Sequence, residues 1–300
     1  MDLFDISEVL GGKVLKNILG IIFIVYILLS SSIFLRNFCE CLQIVYYPST
    51  NIIFVILFFI IAICIVNHLQ FNASLKANLI FVPFVLISII FLFCANLRYF
   101  TPQRIFPILG NGLFDTFILG IGNIYALNGV VFIYFLPPLL KEPEKLKKIA
   151  ISSVCISSAY LILSVSIILF MFPFFTGIDE IIPLYTAATY VEFGSFFQRL
   201  ESIFLLIWII AFSCYLSIVS KFAMLLFKKI TNIKHSKPLI FPFAIIILAI
   251  SLIPKNYAIS KFYEVHIYRY FMIGVVFVLG IVVLALSYFK EKKKKVIKNE

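Results

Sequence analysis

Eight continuous apolar runs, at roughly 14–35, 51–66, 79–96, 114–138, 149–172, 196–220, 238–253 and 270–289, constrain this chain more than any other feature. Each is about as long as a helix must be to cross roughly 30 Å of hydrocarbon. A transmembrane β-barrel would instead show short strands alternating apolar and polar residues around a polar lumen. Continuous runs require the backbone to satisfy its own hydrogen bonds, so the predicted class is an all-α polytopic membrane protein. The composition agrees: 63% of the residues are hydrophobic and 13% charged, outside the range of soluble domains. The connections between runs are short and polar, leaving one integral membrane domain over 1–300 with a basic tail at 290–300.

The formal net charge of +11 does not indicate nucleic acid. Its lysines sit in clusters between apolar runs, without the interleaved aromatics of a nucleic-acid surface, and they report topology. With eight spans, 18 of the 25 basic residues fall on one side of the membrane. Because cytoplasmic loops retain Lys and Arg, both termini are predicted to be cytoplasmic. All five arginines (Arg36, Arg98, Arg104, Arg199 and Arg269) fall on the outer side, whereas eighteen of twenty lysines fall inside. Lysines at 141–148, 228–237 and 290–295 suit anchoring near anionic lipid. The arginines suit pairing with carboxylates or carbonyls.

Nothing in the chain assembles an enzyme. His68, His235 and His266 are far apart, and the six cysteines include no C-x-x-C pair and lie mostly in apolar runs. No metal or other cofactor is implied. No nucleophile, base and orienting group gather on one membrane face. The first apolar run is followed by Arg36, Asn37 and Glu40, not by a small-residue cleavage site, so no signal peptide is expected. Ahead of that run, Asp5 to Glu8 has capping-box spacing and Gly11-Gly12 permits a bend, predicting a short surface helix feeding the first span.

The fourth run is the least uniform. Pro102, Pro107, Gly110 and Gly112 precede it, and Gly120-Ile-Gly122-Asn123-Ile-Tyr125 and Asn128-Gly129 interrupt it. Paired glycines followed by Asn weaken the helical ladder, and loosened backbone at membrane depth is tolerated only against protein or a watery cavity. A broken helix that builds a ligand site is one reading; a small-residue packing face is the other.

The sixth run opens Tyr190-Val-Glu-Phe-Gly-Ser-Phe-Phe-Gln-Arg199-Leu-Glu201-Ser-Ile-Phe-Leu-Leu-Ile-Trp208-Ile. This R-L-E-S-I-F-x-x-x-W pattern resembles the permease-like B subunit of spore nutrient-germinant receptors, a branch of the amino acid, polyamine and organocation transporter superfamily. Pro137-Pro138 before a basic loop and the opening Asp2-Leu-Phe-Asp-Ile-Ser-Glu-Val-Leu-Gly-Gly-Lys13 extend the similarity. The resemblance implies an inverted-repeat, amino acid permease-like bundle. It also implies that this chain starts just before the family's third span, so the first repeat is incomplete. The run 114–138 then corresponds to one of two broken helices that share the central pocket in that fold.

Gly120, Gly122, Asn123 and Tyr125 are accordingly the expected pocket-lining residues, since exposed helix-end donors and carbonyls hold the charged ends of an amino acid. Ser31, within Ser30-Ser31-Ser32, adds a hydroxyl or packs on a neighbouring helix. Arg199, Glu201 and Trp208 are signature residues; Arg199 and Glu201, two apart, face different neighbours. Arg36 and Glu40 have helix-pair spacing, and Asp115 complements a helix N-terminus. By resemblance, the expected function is a membrane subunit of a germinant receptor in the spore inner membrane. It would bind a small nutrient, such as an amino acid, and promote germination with an A-type membrane subunit and a C-type lipoprotein. An amino acid secondary transporter and a truncated, nonfunctional remnant are the alternatives.

Overall fold

Where the medium is lipid, a chain segment keeps its backbone paired by coiling, and nearly all of the apolar sequence does so. The computed structural model describes residues 2–69, 71–110, 112–173, 180–191 and 200–297. Its principal α-helices are α1 (Leu3–Tyr46), α2 (Ile52–His68), α3 (Phe71–Ala95), α4 (Leu113–Phe117), α5 (Leu146–Met171), α6 (Pro183–Thr189), α7 (Leu200–Thr231) and α8 (Ile240–Ser251). A last helical train follows: α9 (Tyr257–Tyr263), a π turn over Glu264–Tyr268, α10 (Arg269–Met272), a second π stretch over Ile273–Leu279, and α11 (Gly280–Ile297). Among the described residues six helices are long and apolar enough to cross a membrane, and no strand occurs. The runs expected at 51–66 and 238–253 are present as shorter apolar helices, Ile52–His68 and Lys237–Ser251. Large apolar side chains such as Phe54, Ile61, Leu79, Ile162, Ile245 and Ile281 lie exposed on these helices, as a lipid-facing surface requires.

The chain forms two compact units interleaved in sequence. The first comprises Met1–Asn37, Ile121–Cys155 and Val219–Glu300. At the start of α1 the cap lies one turn earlier than the Asp5-to-Glu8 spacing predicts. Asp2 Oδ1 accepts from the backbone N–H groups of Phe4 and Asp5, both at 3.0 Å, and Asp5 Oδ2 accepts from the Asp2 N–H at 3.0 Å. This is a reciprocal capping box with Asp at both ends. Glu8 bonds Lys16 instead, at 2.7 Å, across the bend at Gly12, whose φ of 71° only glycine adopts freely. Lys229, in the last turn of α7, reaches Asp2 and Asp5 at 2.6 Å each, and Lys290 donates to the Val9 carbonyl at 2.8 Å. The amino-terminal helix is therefore fastened by lysines from two other helices. Phe135 packs its ring against Phe4 and Phe23 of this helix, with centroids 4.9 and 5.2 Å apart.

The second unit comprises Phe38–Gly120 and Ile156–Ile218 and is held chiefly by apolar packing. Ile89, Leu92, Ile167, Met171, Ala187 and Phe204 form its core, with Trp208 tilted on Phe204 at 4.5 Å. Phe38 stacks on Phe212 at 4.0 Å and both meet the edge of Phe59. Arg104 donates to the carbonyls of Phe170 and Met171, where a cation also complements the C-terminal end of the α5 dipole. Two recesses of about 200 and 270 Å³ open on its surface; the first is lined by apolar side chains and Ser88.

Candidate functional site

The fourth apolar run is not one α-helix. After the single α-turns of Leu113–Phe117 the chain tightens into a 3-10 helix over Leu119–Tyr134, with Leu127 outside helical geometry at φ −99°, ψ 27°. Runs of this kind rarely exceed four residues, because their hydrogen bonds are poorer and successive turns eclipse. The glycines and asparagines read from the sequence explain the weakness of the α-ladder here. A methyl group placed on Gly122 or Gly129 would meet no atom within 4 Å, and one on Gly120 only the Asp115 carbonyl at 3.7 Å. These glycines are not seats for a neighbouring helix. Gly20 and Gly280 are such seats: added methyls would strike Ile230 and Tyr134.

Within the first unit, Tyr125 and Asn123 enter two polar groups. Tyr125 is buried, stacks parallel to Phe34 at 5.5 Å and lies 3.5 Å from the Ser30 hydroxyl, to which Asn128 Nδ2 donates at 3.4 Å. Ser31 does not take part. Its hydroxyl donates to the Ile27 carbonyl at 2.6 Å, as that of Ser32 does to Leu28 at 2.7 Å, the back-bond that serines commonly make in helices. The structure thus brings Ser30, not Ser31, to Tyr125. One residue of rotation about the helix separates the two, and a run of three serines contains no signal for choosing between them.

Asn123 Oδ1 accepts from Arg269 Nη1 at 2.7 Å. Arg269 Nη2 lies 3.9 Å from Glu264 Oε1, and Glu264 Oε2 accepts from Asn37 Nδ2 at 2.6 Å and Lys261 Nζ at 2.8 Å. Arg36, next to Asn37, reaches the Ser251 carbonyl at 3.4 Å. Asn37 and Lys261 therefore bond a buried carboxylate, Glu264, which is 7% exposed, and Asn123 is linked to it through Arg269. The π turn that begins at Glu264 adds a residue to the helical repeat and re-aims the side chains after it; such turns often mark functional positions. Glu264 was invisible as a site residue in the sequence. It falls in the predicted connection between the last two runs, whereas the helix already begins at Tyr257. Three charged residues in the first turns of a membrane helix are tolerable because Glu264 is bonded to Lys261 and Asn37 and lies close to Arg269, which is itself bonded to Asn123.

Of the signature residues, Arg199 lies outside the described residues. Glu201 occupies the first turn of α7, buried at 7% exposure, where a carboxylate complements the helix dipole. Trp208, two turns on, belongs to the apolar core of the second unit. Asp115 stands in the first turn of α4, exposed. The described residues contain no group of His, Cys, Asp and Glu able to hold a metal ion.

Comparison with known proteins places these features. A family model described as a spore germination protein matches residues 1–259, which take in the capped amino terminus, the 3-10 run, the Arg-Leu-Glu segment and the helix start at Tyr257. No curated protein and no solved structure gives a significant match. The apolar helices and the match over most of its length together show that this integral membrane protein belongs to the spore germination protein family.

Proposed function

We propose that this chain is the permease-like membrane subunit of a spore nutrient-germinant receptor, which binds a small nutrient such as an amino acid and thereby promotes germination. Its termini are on the cytoplasmic side, and it works with A-type and C-type receptor subunits. The observation that carries the reading is the Leu119–Tyr134 run, a membrane segment with weakened backbone pairing whose Gly122 has free space beside it and whose Asn123 and Tyr125 enter polar clusters. Loosened backbone supplies amide donors and carbonyl acceptors at membrane depth, which an apolar bundle otherwise lacks, and these suit the charged ends of a nutrient. A ligand that favours one arrangement of such a segment shifts its population, and partner subunits can read that shift.

The test is germination. Spores lacking this chain are expected to lose the response to at least one amino acid and to regain it when the gene is restored. Deletion spores that germinate normally on every amino acid would defeat the proposal. Sustained uptake of the same nutrient by vesicles holding this chain alone would favour a transporter.

A further inference from the structure

The cluster around Glu264 contains polar groups that nothing in the described protein uses. Arg269 Nε, Asn37 Oδ1 and Ser260 Oγ are buried, and each lacks a hydrogen-bond partner among the described residues. Ser260 is fully buried and sits four residues before Glu264, on the same side of the helix. A buried, unbonded polar atom costs stability, and two on members of one ion cluster, with a third one helical turn before Glu264, imply that the cluster is shaped by something other than folding.

Their chemistry is directional. The Nε–Nη2 edge of a guanidinium is one of the two forks that take a carboxylate with two parallel bonds. In Arg269, Nη1 is committed to Asn123, Nε is unbonded, and Nη2 stops 3.9 Å short of Glu264, too far for a hydrogen bond. Opposite Nη2 stands the Glu264 carboxylate; Asn37, bonded to that carboxylate, and Ser260, four residues before it, carry the two unbonded acceptors Asn37 Oδ1 and Ser260 Oγ. Lys261, 42% exposed and bonded to Glu264, is the cation a ligand ammonium would replace. A fork for an anion thus lies beside an acceptor set for a cation, within one unit of the fold and next to the segment carrying Asn123.

We infer that Arg269, Glu264, Asn37 and Ser260 form the seat for the charged head of a free α-amino acid. Its carboxylate lies on the Nε–Nη2 edge of Arg269, and its ammonium lies against Glu264, Asn37 and Ser260. This rests on the nutrient-binding reading above and gives it a charge-recognition rule.

The experiment uses the full chain in lipid nanodiscs and the twenty common L-amino acids, screened by equilibrium binding. The strongest binder is then compared with its carboxamide, which lacks the anion, and its desamino acid, which lacks the cation. Arg269→Gln is expected to weaken amino acid binding about tenfold or more while changing carboxamide binding less than about twofold. Arg269→Lys should recover part of the loss. Glu264→Gln should act selectively against compounds carrying the ammonium. Ser260→Ala removes a hydroxyl that bonds nothing among the described residues, so thermal stability should hold while affinity falls about threefold. Equal losses for amino acid and carboxamide in Arg269→Gln, unchanged binding in Ser260→Ala, or no binding to the unmodified chain would each overturn the seat. The two proposals fail differently. Arg269→Gln spores that respond to the same nutrient concentration as the parent would remove the seat and leave the receptor reading standing. Unchanged germination in deletion spores would remove the receptor reading itself.

Discussion

Two polar clusters in the first unit are built from the same materials and differ in completeness. At one, Lys229 is bonded to Asp2 and Asp5 at 2.6 Å each, and both aspartates also cap the backbone of α1. At the other, Lys261 bonds Glu264, but Arg269 stops at 3.9 Å, and the buried Arg269 Nε and Asn37 Oδ1 have no partner among the described residues. The first is closed as a fastener is closed; the second retains bonding capacity suited to a ligand. Buried ionic groups are costly unless fully bonded, so the incomplete cluster is the one that calls for a purpose beyond folding.

The largest test of that contrast is Lys229→Met. It leaves Asp2, 4% exposed, as a buried carboxylate without its cation and should cost about 3 kcal/mol, read as a lower unfolding temperature of the purified protein. A loss no greater than that of Ser260→Ala would erase the distinction between the two clusters. Next comes Gly280→Ala, whose new methyl would run into the Tyr134 ring and hydroxyl; about 2 kcal/mol should be lost in the same measurement. Tyr134→Phe removes a 2.7 Å bond to the Val276 carbonyl and should cost about 1 kcal/mol, detectable also as faster hydrogen exchange at the Tyr134–Val276 contact. Smallest in stability is Gly122→Ala. Its methyl meets no atom within 4 Å, so unfolding should be unchanged or delayed by up to about 1 kcal/mol, while the nutrient response of spores should weaken. A Gly122→Ala protein as destabilised as Gly280→Ala would return this stretch to the packing reading.

Gly122 and its neighbours show what was legible in advance. Gly120, Gly122 and Asn123 identify the weak point of the fourth run in the sequence, because glycine and asparagine lower helix stability wherever they stand. The structure shows the form of that weakness, a long 3-10 stretch with a lapse at Leu127. Arg104 and Arg36 bond carbonyls, and Arg269 bonds an amide oxygen and approaches a carboxylate, partners of the expected kind, whereas Arg98 lies over the Tyr99 ring at 4.6 Å and Arg199 falls outside the described residues. Their particular partners were not legible: Asn37 and Glu264 are 227 residues apart, and no local pattern connects them. The same holds for helix ends. The first run was expected to end at 35, yet α1 continues through Arg36, Asn37 and Glu40 to Tyr46, because those polar side chains become buried within the protein.

By itself, the sequence determined the medium, the helical class and the points where helices are weak. Each of these follows from short-range physics: the length of an apolar run, the charge of a connecting loop, the conformational freedom of a glycine. Only the tertiary structure decided that Ser30 meets Tyr125, that Lys229 closes one cluster, and that Glu264 stands at the centre of an incomplete one. Those outcomes depend on how distant helices rotate against each other, and one residue of rotation decides whether a polar side chain is bonded to its own turn, to a neighbour or to nothing.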